Sequence, residues 1–168
     1  MRSFKVFPVM IMAFALSVLA PATRSFAQEG ESDSRFGIGF QSSWPSYGIS
    51  GLYDLDERIT LQGIIGAFGT VTNFGVRGLY RFQTEDKYDL FGFGTAGMWS
   101  YDYRVDTENV IGFGGGVGIE LDWRRILTPD DNSFPPLFSS IDIGFVLADF
   151  EHYDFSGLVI GGGIHYRF

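Results

Sequence analysis

The chain has 168 residues and carries 20 acidic against 12 basic side chains, so its formal net charge is −8. This excess of negative charge argues against nucleic acid as a partner. The absence of cysteine excludes disulfides, thiolate metal sites and a lipoprotein acceptor thiol.

The first 27 residues are predicted to be a secretory signal peptide. Arg2 and Lys5 precede an apolar run, and Ala27 ends a small-x-Ala cleavage sequence. Cleavage after Ala22 is an alternative, and so is an uncleaved membrane anchor, although the run is shorter than the roughly 20 residues of a helical span. Residues 28–34 are polar and are predicted to be a short disordered lead-in.

Residues 35–168 contain eight segments with the period-2 alternation of a β-strand. Most have about the 9–11 residues that a tilted strand needs to cross a bilayer. The sixth is the clearest, because apolar side chains or glycine occupy every odd position from Ile111 to Trp123. The predicted strands are Arg35–Trp44, Tyr47–Asp54, Ile59–Phe68, Thr72–Phe82, Tyr88–Tyr101, Val110–Trp123, Phe138–Ala148 and Gly157–Phe168.

Alternation by itself does not say which face of a barrel meets water. A soluble barrel of the lipocalin kind would turn the apolar face inward. We favour the opposite orientation, because aromatic residues lie at strand ends, as in interfacial girdles, and the other face carries too few charges for a soluble surface. In the fifth strand, the small residues Gly92, Gly94 and Ala96 suit a crowded interior, so the outward set is predicted to be Phe91, Phe93, Thr95, Gly97 and Trp99.

The final strand alternates regularly and ends on Tyr166 and Phe168. This terminus and the strand pattern resemble the small eight-stranded bacterial outer-membrane barrels of the OmpA-domain and OmpX type. The resemblance implies an all-β, antiparallel, up-and-down transmembrane β-barrel of eight strands, preceded by a cleavable signal peptide. It implies export through the periplasm to the outer membrane, with Tyr166 and Phe168 as the signal for the barrel-assembly machinery.

The same resemblance implies a monomer whose partners are outer-membrane lipid and lipopolysaccharide. It implies a structural, membrane-integrity or surface-interaction role without a large open pore. An even strand number places both ends of the barrel on the periplasmic side. The segment Arg124–Leu137, with three prolines, is long for a periplasmic turn, and the sequence offers no account of it.

The inward faces concentrate ionisable side chains in the half of the barrel nearer the periplasm. Buried charges need partners, and an eight-stranded barrel is just wide enough for side chains to fill. We interpret the set as a paired network that fixes strand register and blocks conduction; a gate or proton-linked site is the alternative. Arg77 is expected to pair with Glu120, or else with Asp142. The predicted lumen network comprises Arg35, Asp54, Gln62, Arg77, Arg81, Glu120, Asp122, Asp142, His165 and Arg167.

The other half of the lumen is predicted to be small or apolar, with many glycines. It could form a cavity for an acyl chain, as in barrels that modify lipopolysaccharide, or be filled by side chains such as Phe68 and Met98. We favour filling. A lipid-modifying enzyme and a narrow pore remain the alternative functions.

Catalytic and metal sites have little support in the sequence. His152 lies near Ser156 and Glu151, but the spacing does not match the His-x-Ser of the lipid A deacylase barrels. Acidic loops lack the spacing of an EF-hand, so their charges are interpreted as solvated. No catalytic residue, metal site or cofactor is therefore predicted.

Overall fold

The computed structural model describes residues 35–43, 46–68, 71–102, 107–130, 133–148 and 156–168. Eight strands form one closed antiparallel barrel, in which each strand pairs with its neighbours in sequence and β1 pairs with β8. The predicted all-β, up-and-down, eight-stranded barrel is thereby confirmed. The predicted signal peptide and lead-in lie outside the described residues.

The observed strands agree closely with the alternation in the sequence. A five-residue helix, α1 (Trp123–Leu127), follows β6. Among the described residues there is no helix with the length and apolarity to cross a bilayer. The strands are β1 (Phe36–Ser43), β2 (Ser46–Asp54), β3 (Ile59–Phe68), β4 (Val71–Thr84), β5 (Tyr88–Asp102), β6 (Thr107–Asp122), β7 (Leu137–Leu147) and β8 (Gly157–Arg167).

Two strand boundaries differ from the prediction by more than one residue. β4 continues past Phe82 to Thr84, because a register shift between Arg81 and Gln83 lets its end pair with β5. β6 begins at Thr107 rather than Val110, because it pairs with the full length of β5. We use "base" for the end of the barrel at which β1 begins and β8 ends.

The outer surface of the barrel is apolar, and its interior contains buried polar and charged side chains. Ile111 is 67% exposed and Leu158 is 71% exposed on the outer surface. Inside, Ser50, Gln62 and Arg77 are at most 2% exposed. The barrel therefore has the apolar exterior predicted from the sequence and not the apolar core of a soluble barrel.

The faces of β5 are the reverse of the prediction. Phe91, Phe93 and Trp99 are buried inside the barrel, and Gly94 and Ala96 lie on the outer surface. The prediction was wrong because it assigned the small residues Gly92, Gly94 and Ala96 of β5 to a crowded interior and did not allow for the space left by the inward glycines of the neighbouring strands.

Those glycines instead make the space that the aromatic rings fill. A Cβ atom at Gly144 would lie 3.0 Å from Cζ of Phe93, and one at Gly112 would lie 2.7 Å from the indole of Trp99. Both separations are shorter than ordinary van der Waals contact, so the missing side chains on β6 and β7 are matched by the large ones on β5.

Candidate functional site

An ionic cluster closes the base of the lumen. The Arg167 guanidinium lies 2.8 Å from Oε1 of Glu120 and also contacts the carboxylate of Asp54. Arg81 lies 3.3 Å from Asp54, 3.5 Å from Glu120 and 3.4 Å from Asp89. Two guanidinium groups thus share three carboxylates, and each charge has a partner of opposite sign. We call these five residues the base cluster.

A second ion pair lies deeper in the barrel, between Arg77 on β4 and Asp142 on β7. Nη2 of Arg77 donates to Oδ2 of Asp142 at 3.0 Å, and both side chains are almost completely buried. The same carboxylate accepts from Nε2 of Gln41 at 3.1 Å and from the hydroxyl of Ser43 at 3.1 Å. The Arg77 guanidinium also lies 4.0 Å from the ring centroid of Phe93, a cation–π contact.

The first-choice partner for Arg77 was therefore wrong, and the second choice is the observed one. Asp142 pairs across the sheet with Gly118, and Glu120 lies one inward position closer to the base. At that level Glu120 meets Arg167 and Arg81 instead of Arg77.

Polar side chains extend from the Arg77–Asp142 pair towards the base cluster. Nε2 of Gln62 donates to Oγ of Ser50 at 2.8 Å and to Oε1 of Gln41 at 3.2 Å. Nε2 of His165 lies 2.9 Å from the same Ser50 hydroxyl. A continuous set of hydrogen bonds thus runs from Asp142 through these four residues towards the base.

Gln41, Ser50 and Thr60 are also buried in the lumen, although they are absent from the predicted network. The signal was present in the alternation, because Gln41 lies between Phe40 and Ser42 on a strand whose neighbouring positions face outward. The predicted network was chosen mainly from ionisable residues; Gln62 was its one amide, and it contained no hydroxyl side chain.

Two members of the predicted network lie elsewhere. Arg35 precedes β1 and is exposed rather than enclosed by the barrel. Asp122 is buried, but its Oδ1 accepts from the backbone N–H groups of Arg124 and Arg125 at 3.0 and 3.3 Å. It is the N-cap of α1, and the prediction missed this role because it did not foresee a helix here.

An apolar plug fills the half of the lumen away from the base. Trp99 is 1% exposed and packs with Val146, Ala148 and Val159. Trp99 is a filling residue that the sequence did not predict, whereas Met98 pairs with the outward Ile111 on the exterior face. The side chain of Phe68, the other predicted filling residue, lies outside the described part of the structure. A cavity of about 20 Å³ remains next to Trp99 and Arg77, which is room for about one water molecule.

His152 and Glu151 lie outside the described residues. No group of three or more histidine, cysteine or acidic side chains in the described part of the chain is arranged to hold a metal ion. Tyr166 and Phe168 lie on the outer surface at the base, 43% and 53% exposed, with their rings 6.2 Å apart.

The fold and the filled lumen define a small eight-stranded β-barrel protein with an apolar exterior. The N-terminal β-barrel domain of OprF from Pseudomonas aeruginosa is similar in structure, with a TM-score of 0.56 at 13% identity, covering 79% of this chain and 95% of that one. Ail, the attachment invasion locus protein of Yersinia pestis, aligns with a TM-score of 0.37 at 12% identity, over 78% of this chain and 96% of that one. No protein-family model and no curated protein matches the sequence. The resemblance to the small eight-stranded barrels is confirmed at the level of the fold.

Proposed function

We propose that the protein is an integral β-barrel of the bacterial outer membrane with a structural or surface-interaction role and no large open pore. The observation that carries the proposal is the distribution of side chains, which is the reverse of that in a soluble barrel: large apolar side chains lie outside and charges lie inside. In water such an exterior would drive aggregation, whereas in a bilayer it matches the hydrocarbon.

The closed lumen supports the absence of a large pore. The base cluster and the apolar plug around Trp99 lie at two different depths in the barrel. Water would have to pass both, and an eight-stranded barrel has little interior beyond what side chains fill.

The orientation and partners belong to the same proposal. We place the base on the periplasmic side, with outer-membrane lipid and lipopolysaccharide around the barrel and the protein as a monomer. Tyr166 and Phe168 on the exposed end of β8 suit recognition by the barrel-assembly machinery after export through the periplasm.

A lipid-modifying enzyme is the weaker candidate. An acyl chain inside the barrel would need the space that Trp99, Val146 and Val159 occupy. The cavity of about 20 Å³ beside them is roughly the size of one water molecule. The described lumen therefore favours the structural or surface role.

Reconstitution tests the proposal directly. We expect urea-unfolded protein to insert into phospholipid vesicles and to migrate as a heat-modifiable band, and we expect no stable large-conductance steps in planar bilayers. Protein that stays soluble and monomeric without detergent or lipid would overturn the membrane location. Reproducible channels of nanosiemens size would overturn the closed lumen, with the heat-denatured sample as the control.

A further inference from the structure

The segment between β6 and β7, which the sequence left unexplained, begins as an ordered element. The Asp122 carboxylate caps the start of α1 through the N–H groups of Arg124 and Arg125. Thr128 closes the other end, because its hydroxyl donates to the Arg124 carbonyl at 3.2 Å and accepts from the Phe134 N–H at 3.1 Å. The sequence therefore builds a defined structure here and not merely a long turn.

This element starts on the outer surface of the barrel. Trp123 continues the alternation that places Leu121 on the outward face of β6, and its indole N–H donates to Oγ of Ser139 at 2.8 Å. Ser139 is the register partner of Leu121 and shares the outward face of β7 with Ile141. The helix thus leaves the barrel at the base, where the apolar exterior ends.

The helix is only partly covered by the protein. None of its residues is buried, Leu127 is 53% exposed, and the Arg125 side chain is 55% exposed while pairing with Asp122 at 3.2 Å. Nε of Arg124 is buried and meets no acceptor among the described residues. The helix contains two arginines and no acidic residue, within a chain that is acidic as a whole.

We propose that α1 is a docking surface for anionic phospholipid headgroups in the leaflet at the base of the barrel. This inference rests on the proposed function, because it requires the barrel to stand in a bilayer. Trp123 then lies at the interface, which tryptophan prefers in membrane proteins. Leu127 enters the boundary of the acyl chains, as the apolar side of an interfacial helix does.

Arg124 and Arg125 are the side chains that would bind the phosphate of the headgroup. Their aliphatic stems can lie along apolar surface while the guanidinium groups reach the headgroups. A guanidinium matches the geometry of a phosphate oxygen pair and binds it through charge-assisted hydrogen bonds. The positive charge of the helix favours an anionic occupant, and its continuity with the apolar exterior favours a lipid over an acidic protein.

Lipid selectivity of the reconstituted protein tests this inference. Spin-labelled phosphatidylglycerol and spin-labelled phosphatidylcholine are compared for association with the wild-type barrel in phosphatidylcholine bilayers. We expect a severalfold preference for the phosphatidylglycerol label, weakened by salt because exposed charges are screened. Arg124→Gln with Arg125→Gln should abolish the preference, and Arg124→Lys with Arg125→Lys should retain most of it.

Arg58→Gln is the matched control. Arg58 is an exposed arginine in the β2–β3 turn at the same end of the barrel; its backbone N–H donates to Asp56 and its carbonyl accepts from the Arg81 N–H, so both of these contacts involve its backbone. If the Arg58 variant also loses the preference for phosphatidylglycerol, the preference depends on the charges at the base of the barrel in general. That result would overturn the role of α1. Equal association of both labels with wild type would also overturn it.

The same measurement separates this inference from the proposed function. A motionally restricted lipid component of either label shows that the barrel has entered the bilayer. Its complete absence would contradict the membrane location itself. Each variant is first checked for heat-modifiable migration, so that a misfolded barrel is not mistaken for one without lipid preference.

Discussion

At the scale of single residues, the buried Arg77–Asp142 pair sets the chemistry of the lumen. Both side chains are withdrawn from water and lie 3.0 Å apart. Gln41 and Ser43 satisfy further lone pairs of the carboxylate. Removal of one charge leaves the other desolvated without a counter-charge, which costs more than the pair contributes.

Arg77→Ala is expected to reduce the free energy of unfolding by about 3–5 kcal/mol, because Asp142 is left buried and unpaired. Combining Arg77→Ala with Asp142→Ala should recover part of that loss, because both charges are then absent. Urea unfolding from vesicles, followed by the heat-modifiable gel shift, measures the coupling.

Arg77→Ala combined with Glu120→Ala is the control for this cycle. Glu120 belongs to the base cluster through Arg167 and Arg81, so we expect no recovery in that combination. A strong coupling of Arg77 to Glu120 and none to Asp142 would contradict the observed pairing.

At the scale of elements, β5 and β6 show how glycine and aromatic positions divide the space. Gly116 on β6 faces the lumen, where a Cβ atom would lie 2.5 Å from Cα of Gly144. Gly94 on β5 faces outward, and a Cβ atom there would meet nothing within 4 Å. Two glycines on paired strands thus have opposite structural requirements.

Gly116→Ala is expected to destabilise the barrel by about 1–3 kcal/mol, because the added methyl group must displace backbone. Gly94→Ala is the matched variant and should be neutral or stabilising by up to about 1 kcal/mol, because it restricts the unfolded chain without a clash. Urea titrations of both variants in vesicles give the comparison, and equal destabilisation of both would show that β5 has been oriented the wrong way.

At the scale of the whole molecule, the polarity of the outer surface determines whether the barrel is suited to water or to a bilayer. The outward faces of β1 to β4 and of β6 to β8 contain exposed large apolar side chains, such as Val117 and Ile143 near the middle of β6 and β7. A bilayer penalises a charge there according to its depth, whereas water would not penalise it at all.

Val117→Arg is expected to weaken folding into bilayers by about 2–4 kcal/mol, because the guanidinium would lie near the bilayer midplane. Ile59→Arg, at the first position of β3 and close to the base, should cost at most about 1 kcal/mol because the interface tolerates charge. Folding yield and urea midpoint in vesicles measure both variants. A harmless Val117→Arg would indicate that this face meets water.

The sequence by itself determined the architecture of this protein. A period of two repeated over eight segments specifies strands with two distinct faces, and β3 begins and ends at the predicted residues Ile59 and Phe68. The same alternation located most of the lumen charges, including Arg77, Asp142 and His165, because side-chain direction in a strand depends only on parity.

Tertiary structure alone decided which residues meet inside the barrel. The partner of Arg77 depends on the depth at which β6 and β7 present Glu120 and Asp142, which strand register controls. The faces of β5 were ambiguous because glycine fits either a crowded interior or the space beside a buried ring. That choice was made by packing, since Trp99 and Phe93 fill the volume over the inward glycines of the neighbouring strands.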